Sequence, residues 1–257
     1  MSNNNRDAQR TARQRLAVER EKQKVAQKRR RALSVSAAVA GVLALAAVIG
    51  VIAASAGEDE GSRSAGPVVA PSGAQGKDAL AVPVGKDGAQ STLTVWEDFR
   101  CPACKAFEAA YRSTVHQLVG SGKLKARYHL VTLIDGNLRG SGSLRAANAA
   151  ACAQDAGKFT AYHDVLYDHQ PEESDDAYAD NARLIELAGK VPGLDTPAFR
   201  KCVDDGTHDG WVRKSHAAFQ SARYSGTPTV LLNGKDVVGS RMTPAALKRA
   251  VEEAARH

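Results

Sequence analysis

Between Ala32 and Gly57 the chain runs 26 residues without a charge, "ALSVSAAVAGVLALAAVIGVIAASAG". No other feature restricts its organisation as much, because about 20 such residues in a helix cross the hydrocarbon core of a bilayer. "KVAQKRRR" crowds the N-terminal side of the run and "EDE" follows it. The positive-inside rule therefore predicts a single transmembrane helix over residues 32–56. Residues 1–31 become a basic cytoplasmic tail, and everything after the helix lies on the extracytoplasmic side of the cell membrane. A cleaved secretory signal is the rival, since "ASA" at residues 54–56 resembles a cleavage site. Against it, the run far exceeds the usual apolar region of about 7–15 residues. "RRALSV" also loosely resembles a twin-arginine signal. All three readings export the rest of the chain.

Charge follows the same division. Residues 1–31 hold 11 of the 35 Lys and Arg against three acids, whereas the remaining 226 residues carry 24 basic and 25 acidic side chains. With no basic excess left to neutralise phosphates, a nucleic-acid-binding main domain is excluded. The tail lacks Gly and Pro between residues 6 and 31 and reads as a solvated arm that sets topology and touches anionic lipid. Residues 57–79 read as a flexible linker, because Gly, Ser, Pro and Ala fill 13 of the 20 positions from 57 to 76. Random-coil scaling gives such a segment a reach of about 25 Å.

Residues 80–257 form the globular part. "ALAVPVG", "STLTVWEDF" and "LKARYHLVTLI" read as strands, with a helix, "CKAFEAAYRSTVHQLVG", between the second and third. A long helical tract follows, and strand character returns in "TPTVLLNGKDVVG", where Asn233-Gly234 supplies a hairpin turn. The last helix has Thr243 as N-cap and Pro244 in its first turn. The fold class is α/β, in the order β-β-α-β, helical block, β-β-α.

Cys101 and Cys104 stand two residues apart where the second strand gives way to a helix. A zinc site needs two further ligands, usually a second close pair. Cys152 and Cys202 lie far from this one and from each other, and His163 and His169 are six apart and beside no cysteine. No metal is expected. A two-residue staple would be strained and would constrain the unfolded chain little. Redox chemistry has positive support. At a helix N-terminus, unpaired N–H groups and the macrodipole favour a Cys101 thiolate. Cys104, one turn in and less exposed, would resolve a mixed disulfide formed there. Pro102 suits the first turn, having no N–H to waste.

"EDFRCPACKAFE", "AANAAACAQDAGKFTAYHDVLYD" and "GTPTVLLNGKDVVG", in this order and spacing, resemble the DsbA-like thiol:disulfide oxidoreductases of the thioredoxin superfamily. The resemblance covers residues 80–255. It implies a thioredoxin fold with a helical domain inserted at about 139–223, covering the cysteines and shaping a groove for unfolded polypeptide. It also implies that Pro228 is cis and faces the active site, with the Thr227 backbone beside Cys101 for an extended substrate. Two departures stand out. Many relatives have His where this chain has Ala103, which removes one stabiliser of the thiolate. Several carry a buried acid where this chain has Val95, so Glu97 and Asp98 are the nearest carboxylates able to relay a proton to or from Cys104. The competing reading for both is an acid exposed at the strand end or held in an ion pair.

Cys152 and Cys202 sit in helix-like segments of the insert. In an oxidising compartment two leftover cysteines most simply pair with each other, with buried free thiols as the alternative. His116, His129 and His216 read as surface or packing residues, Trp96 and Trp211 as core, and "GSGS" at 140–143 as a turn and helix cap.

The expected protein is a membrane-anchored monomer that introduces disulfides into reduced exported polypeptides through Cys101–Cys104, with no organic cofactor. The resemblance implies a membrane reoxidant, a quinone-coupled DsbB-like or vitamin-K-epoxide-reductase-like protein. The alternatives are a reductase or isomerase on the same fold, and a non-catalytic polypeptide-binding module.

Overall fold

A computed structural model describes residues 67–256. Among these no helix is long and apolar enough to cross a membrane. The basic tail, the helix expected over 32–56 and residues 57–66 of the linker lie outside them.

Five strands form one sheet in the order β1-β3-β2-β4-β5: β1 (Val82–Val84), β2 (Ser91–Glu97), β3 (Leu124–Leu130), β4 (Thr229–Leu232) and β5 (Lys235–Asp236). β2 runs parallel to β3 and antiparallel to β4, so the strand that leads into Cys101 is central and paired on both edges. Strand alternation sends Leu93, Val95 and Glu97 of β2 to one face and Trp96 to the other. Leu93 and Val95 join the main core, while Trp96 stacks on its register partner His129 at 3.9 Å and packs against Phe219. Trp96 and His129 are therefore packing residues, as their positions predict.

Helix α1 (Pro102–Gly120) returns the chain from β2 to β3 and buries Cys104, Phe107, Glu108, Val115 and Leu118, a stripe at helical spacing. Between β3 and β4 come six helices: α2 (Leu133–Leu138), α3 (Gly142–Asp155), α4 (Phe159–Asp168), α5 (Asn181–Ala188), α6 (Pro197–Asp205) and α7 (Asp209–Ser221). α8 (Pro244–Ala254) closes the fold, with the Thr243 hydroxyl accepting from Ala246 N and Pro244 in the first turn. This is the expected α/β core with a helical insertion. At the β4–β5 hairpin, Asn233 and Gly234 both adopt positive φ, 49° and 82°, which the tight turn requires.

Four local readings change. β3 stops at Leu130 and the insertion begins at Leu133 rather than near 139, because the buried Asp98 carboxylate accepts the Ile134 N–H at 2.9 Å and starts a helix there. β5 is two residues long and does not extend through Val237 and Val238. Helix α3 is capped by distant acids rather than by the local serines. Asp176 accepts from the N–H groups of Ser141 and Gly142, and Asp135 from those of Ser143 and Leu144. Finally, the end of the linker is docked. Ser72 N–H donates to Asp155 (2.6 Å), Gln154 donates to Ser72 O (2.9 Å), His208 Nδ1 lies 2.8 Å from Val69 O, and Trp211 donates to Ala79 O (2.7 Å). Small residues bury little apolar surface, but their backbone polar groups found partners on the insert.

Cys152 of α3 and Cys202 of α6 are joined in a disulfide with Cα atoms 5.9 Å apart, so the free-thiol alternative falls away. Trp211 is wholly buried.

Candidate active site

Cys101 is the N-cap residue of α1, and Pro102 occupies the first turn. The helix begins here because proline satisfies the N1 position and a run of helix formers follows. Cys101 and Cys104 are both free thiols, while Pro102 and Ala103 are exposed between them. The Thr227–Pro228 peptide bond is cis, and the Cys101 thiol lies 3.3 Å from Thr227 O. The loop before β4, which follows the last helix of the insertion, is thereby brought against the start of α1. All six residues singled out from the two motifs, Cys101, Pro102, Ala103, Cys104, Thr227 and Pro228, share one site.

The two sulfurs differ sharply in environment. The Cys104 thiol donates toward the Cys101 sulfur, and this outweighs the cost of partial burial. The Thr227 hydroxyl and the N–H groups of Cys104 and Ala103 add to it, drawing the Cys101 thiol down to about 6. Thr227 Oγ1 is buried with no hydrogen-bond partner, which leaves it free to turn to a thiolate at Cys101. Cys104 moves the other way: burial, then the adjacent Cys101 and the Glu97 charge, push it well above the ordinary thiol range. Such a pair has one sulfur suited to attack and to leave, and a second that holds its proton until a mixed disulfide needs resolving.

Glu97 and Asp98 are both fully buried, so neither is an acid exposed at the strand end. They do different things. Asp98 accepts from Arg100 N at 2.8 Å and Ile134 N at 2.9 Å, tying the active-site loop to α2, yet burial still pushes its carboxyl up to about 7. Glu97 is in an ion pair: its Oε1 lies 2.8 Å from His163 Nε2 on α4. No cysteine stands beside His163, and its partner Glu97 lies 66 residues away in the chain. The only signal available was a histidine on the apolar face of an amphipathic helix.

Two further residues escaped the sequence reading. Arg100, 1% exposed, pairs with Asp135 at 2.8 Å and Asp176 at 2.6 Å and donates to Glu173 O. It thus fastens the residue before Cys101 to the same two acids that cap α3. Gly140 and Gly142 permit this approach, since a Cβ on Gly142 would sit 2.5 Å from the Asp176 carboxylate. Gln170, just after α4, donates to Phe99 O (2.9 Å) and Cys101 O (3.0 Å). No local motif marks either residue.

Among the described residues, two clusters have donor atoms close enough to hold a cation. In one, Cys152 and Cys202 are already bonded to each other, and His208 is engaged by Val69 O and Asp155. In the other, Glu97, Glu108 and His163, the imidazole opposes a metal. Burial disfavours its charge, but Glu97, Asp164 and Glu108 outweigh that and push it up to about 10. Arg112, 3.9 Å from Glu108, adds a further positive charge.

A family model described as Thioredoxin matches residues 79–253. A probable disulfide bond formation protein D of Bacillus anthracis is 25% identical over 152 residues, 59% of this chain and 69% of that protein. Oxidised DsbA of Mycobacterium tuberculosis is 32% identical, with a TM-score of 0.59 over 68% of this chain and 92% of that one. BdbD of Bacillus subtilis, at 22% identity and a TM-score of 0.58 over 74% of this chain and 99% of that one, shares the fold. With the paired cysteines, the adjoining cis-proline loop and the helical insertion all present, the chain belongs to the thioredoxin family, among its DsbA-like thiol–disulfide oxidoreductases.

Proposed function

We propose that the protein is a membrane-anchored dithiol oxidase that introduces disulfides into exported polypeptides. A substrate thiolate attacks Cys101 of the oxidised pair, and the Cys101–Cys104 bond breaks with its electrons on Cys104. A second substrate thiolate then attacks the substrate sulfur of the mixed disulfide. The substrate leaves oxidised, and Cys101 leaves as a thiolate. Two electrons pass from substrate to enzyme, and a membrane protein of the DsbB-like or vitamin-K-epoxide-reductase-like type removes them. Residues 32–56 anchor the domain, an assignment that rests on the sequence.

The observation that carries the direction is the convergence of donors on Cys101. A stabilised thiolate stabilises the reduced pair, which makes the oxidised pair the stronger oxidant. The test is the reduction potential of the extracytoplasmic segment with reoxidation of an unfolded, reduced substrate alongside. A value near the DsbA figure of about −120 mV is expected, whereas one near thioredoxin's, about −270 mV, reverses the assignment to a reductase. Loss of turnover in Cys101→Ser separates either enzyme from a binding module.

A further inference from the structure

Breaking the Cys101–Cys104 bond leaves negative charge on Cys104, a sulfur whose surroundings disfavour a thiolate. A proton must reach it, and the position is closed to solvent, with Cys104 only 1% exposed. The surrounding charges offer a route. Glu97 Oε1 lies 2.8 Å from His163 Nε2, and Glu97 Oε2 is buried with no hydrogen-bond partner. On the far side of the ring, His163 Nδ1 lies 3.6 Å from Asp164 Oδ1. Asp164 is 23% exposed and meets Arg112 at 3.2 Å and His116, itself 39% exposed, at 3.6 Å. The imidazole is walled by Phe99, Tyr128, Phe159 and Tyr167, which exclude bulk water from its sides. The charged and titratable groups facing it are Glu97 from β2, Glu108 and Arg112 from α1, Tyr128 from β3, and Asp164 and Tyr167 from α4.

We propose that His163 is a positioning residue for catalysis, holding Glu97 and passing protons between it and the surface at Asp164, so that Glu97 can protonate Cys104 as the disulfide opens. The step balances. The S–S bond pair stays on Cys104, a proton moves from the Glu97–His163 pair to that sulfur, and solvent returns one to His163 through Asp164. In the reverse direction the same groups remove the Cys104 proton before it attacks a mixed disulfide. The inference rests on the Cys101/Cys104 reading and adds to it a proton path that runs through the inserted helices rather than through the sheet.

The experiment is single-turnover oxidation of dithiothreitol by the oxidised full-length protein, comparing His163→Gln and Glu97→Gln with wild type between pH 5 and pH 9. The ratio of variant to wild-type rate should be near one at pH 5, where solvent acid suffices. By pH 9 it should fall about a hundredfold, the lower end of the range for losing a positioned proton donor. A ratio that is the same at every pH overturns the proposal, because a merely structural role lowers stability without changing the profile. Should the variants not fold, infrared redox-difference spectra of wild-type protein carrying ¹³C-labelled glutamate decide the matter. Reduction must perturb a glutamate carboxyl band, and an unperturbed spectrum refutes the route. Alkylation of Cys101 at pH 6 distinguishes the two failures. A sluggish Cys101 defeats the dithiol reading, while a fast Cys101 with a flat ratio defeats the proton path alone.

Discussion

Thr227→Val removes a hydroxyl while keeping the shape of the side chain and the backbone carbonyl beside Cys101. The hydroxyl is one of the donors that bring the Cys101 thiol down to about 6. A hydrogen bond to a charged group contributes about 1.5–3 kcal/mol, and one pKa unit is about 1.4 kcal/mol. The variant should therefore titrate about 1–2 units higher, between about 7 and 8. A rate at a single neutral pH would nearly hide this. The higher-pKa thiolate is intrinsically more nucleophilic by about 3- to 10-fold, which offsets much of its lower abundance. Ultraviolet titration of the thiolate reads the shift directly, and at pH 5 the reaction with a small disulfide should slow by about 3- to 11-fold. Destabilising the thiolate also destabilises the reduced pair, lowering the potential at pH 7 by about 20–30 mV. A variant that still titrates near 6, or a wild-type thiol that titrates near 9, refutes the account of how Cys101 is activated.

Three other outcomes follow from the structure. Replacing Cys152 and Cys202 together by Ala opens a loop of 50 residues. In the chain-entropy model that costs about 4 kcal/mol, or about 8–16 °C in Tm for a domain of this size, with dithiol oxidation preserved; calorimetry and a turnover assay check both halves. Asp98, pushed up to about 7 from 3.8, binds its proton more tightly folded than unfolded. Stability should thus be highest below about pH 4 as far as this group is concerned and fall, by up to about 4 kcal/mol, as pH rises to about 7; urea unfolding of Asp98→Asn should show a flatter pH dependence. Asp155→Ala removes the acceptor of Ser72 N–H and the partner of His208, so hydrogen exchange at Ser72 should accelerate at least about tenfold while Tm changes by only a few degrees.

Much of the site was legible because it is local. The Cys-x-x-Cys spacing, Pro102 after Cys101 and the strand-to-helix junction are short-range features, and so are the Asn233-Gly234 turn and the Thr243 cap. Glu97 and Asp98 were legible as candidates by position but not in their roles. Alternation alone does not say that one meets a histidine 66 residues away and the other caps a helix 36 residues away. Arg100 carries no local signal of its role and is buried beside Asp135 and Asp176, which arrive from the insertion.

The sequence by itself determined the division of charge along the chain, the α/β class and the redox pair, since each depends on residues close together in the chain; the loop facing the pair, 126 residues on, was implied only by the family resemblance. Tertiary structure alone decided that the end of the linker lies along the insert and that His163 reaches Glu97, and it joined Cys152 to Cys202, the pairing that the sequence favoured over free thiols. These are contacts between segments distant in the chain. Burial then sets the charge states, because the free energy of an ion depends on everything packed around it and not on its neighbours in sequence.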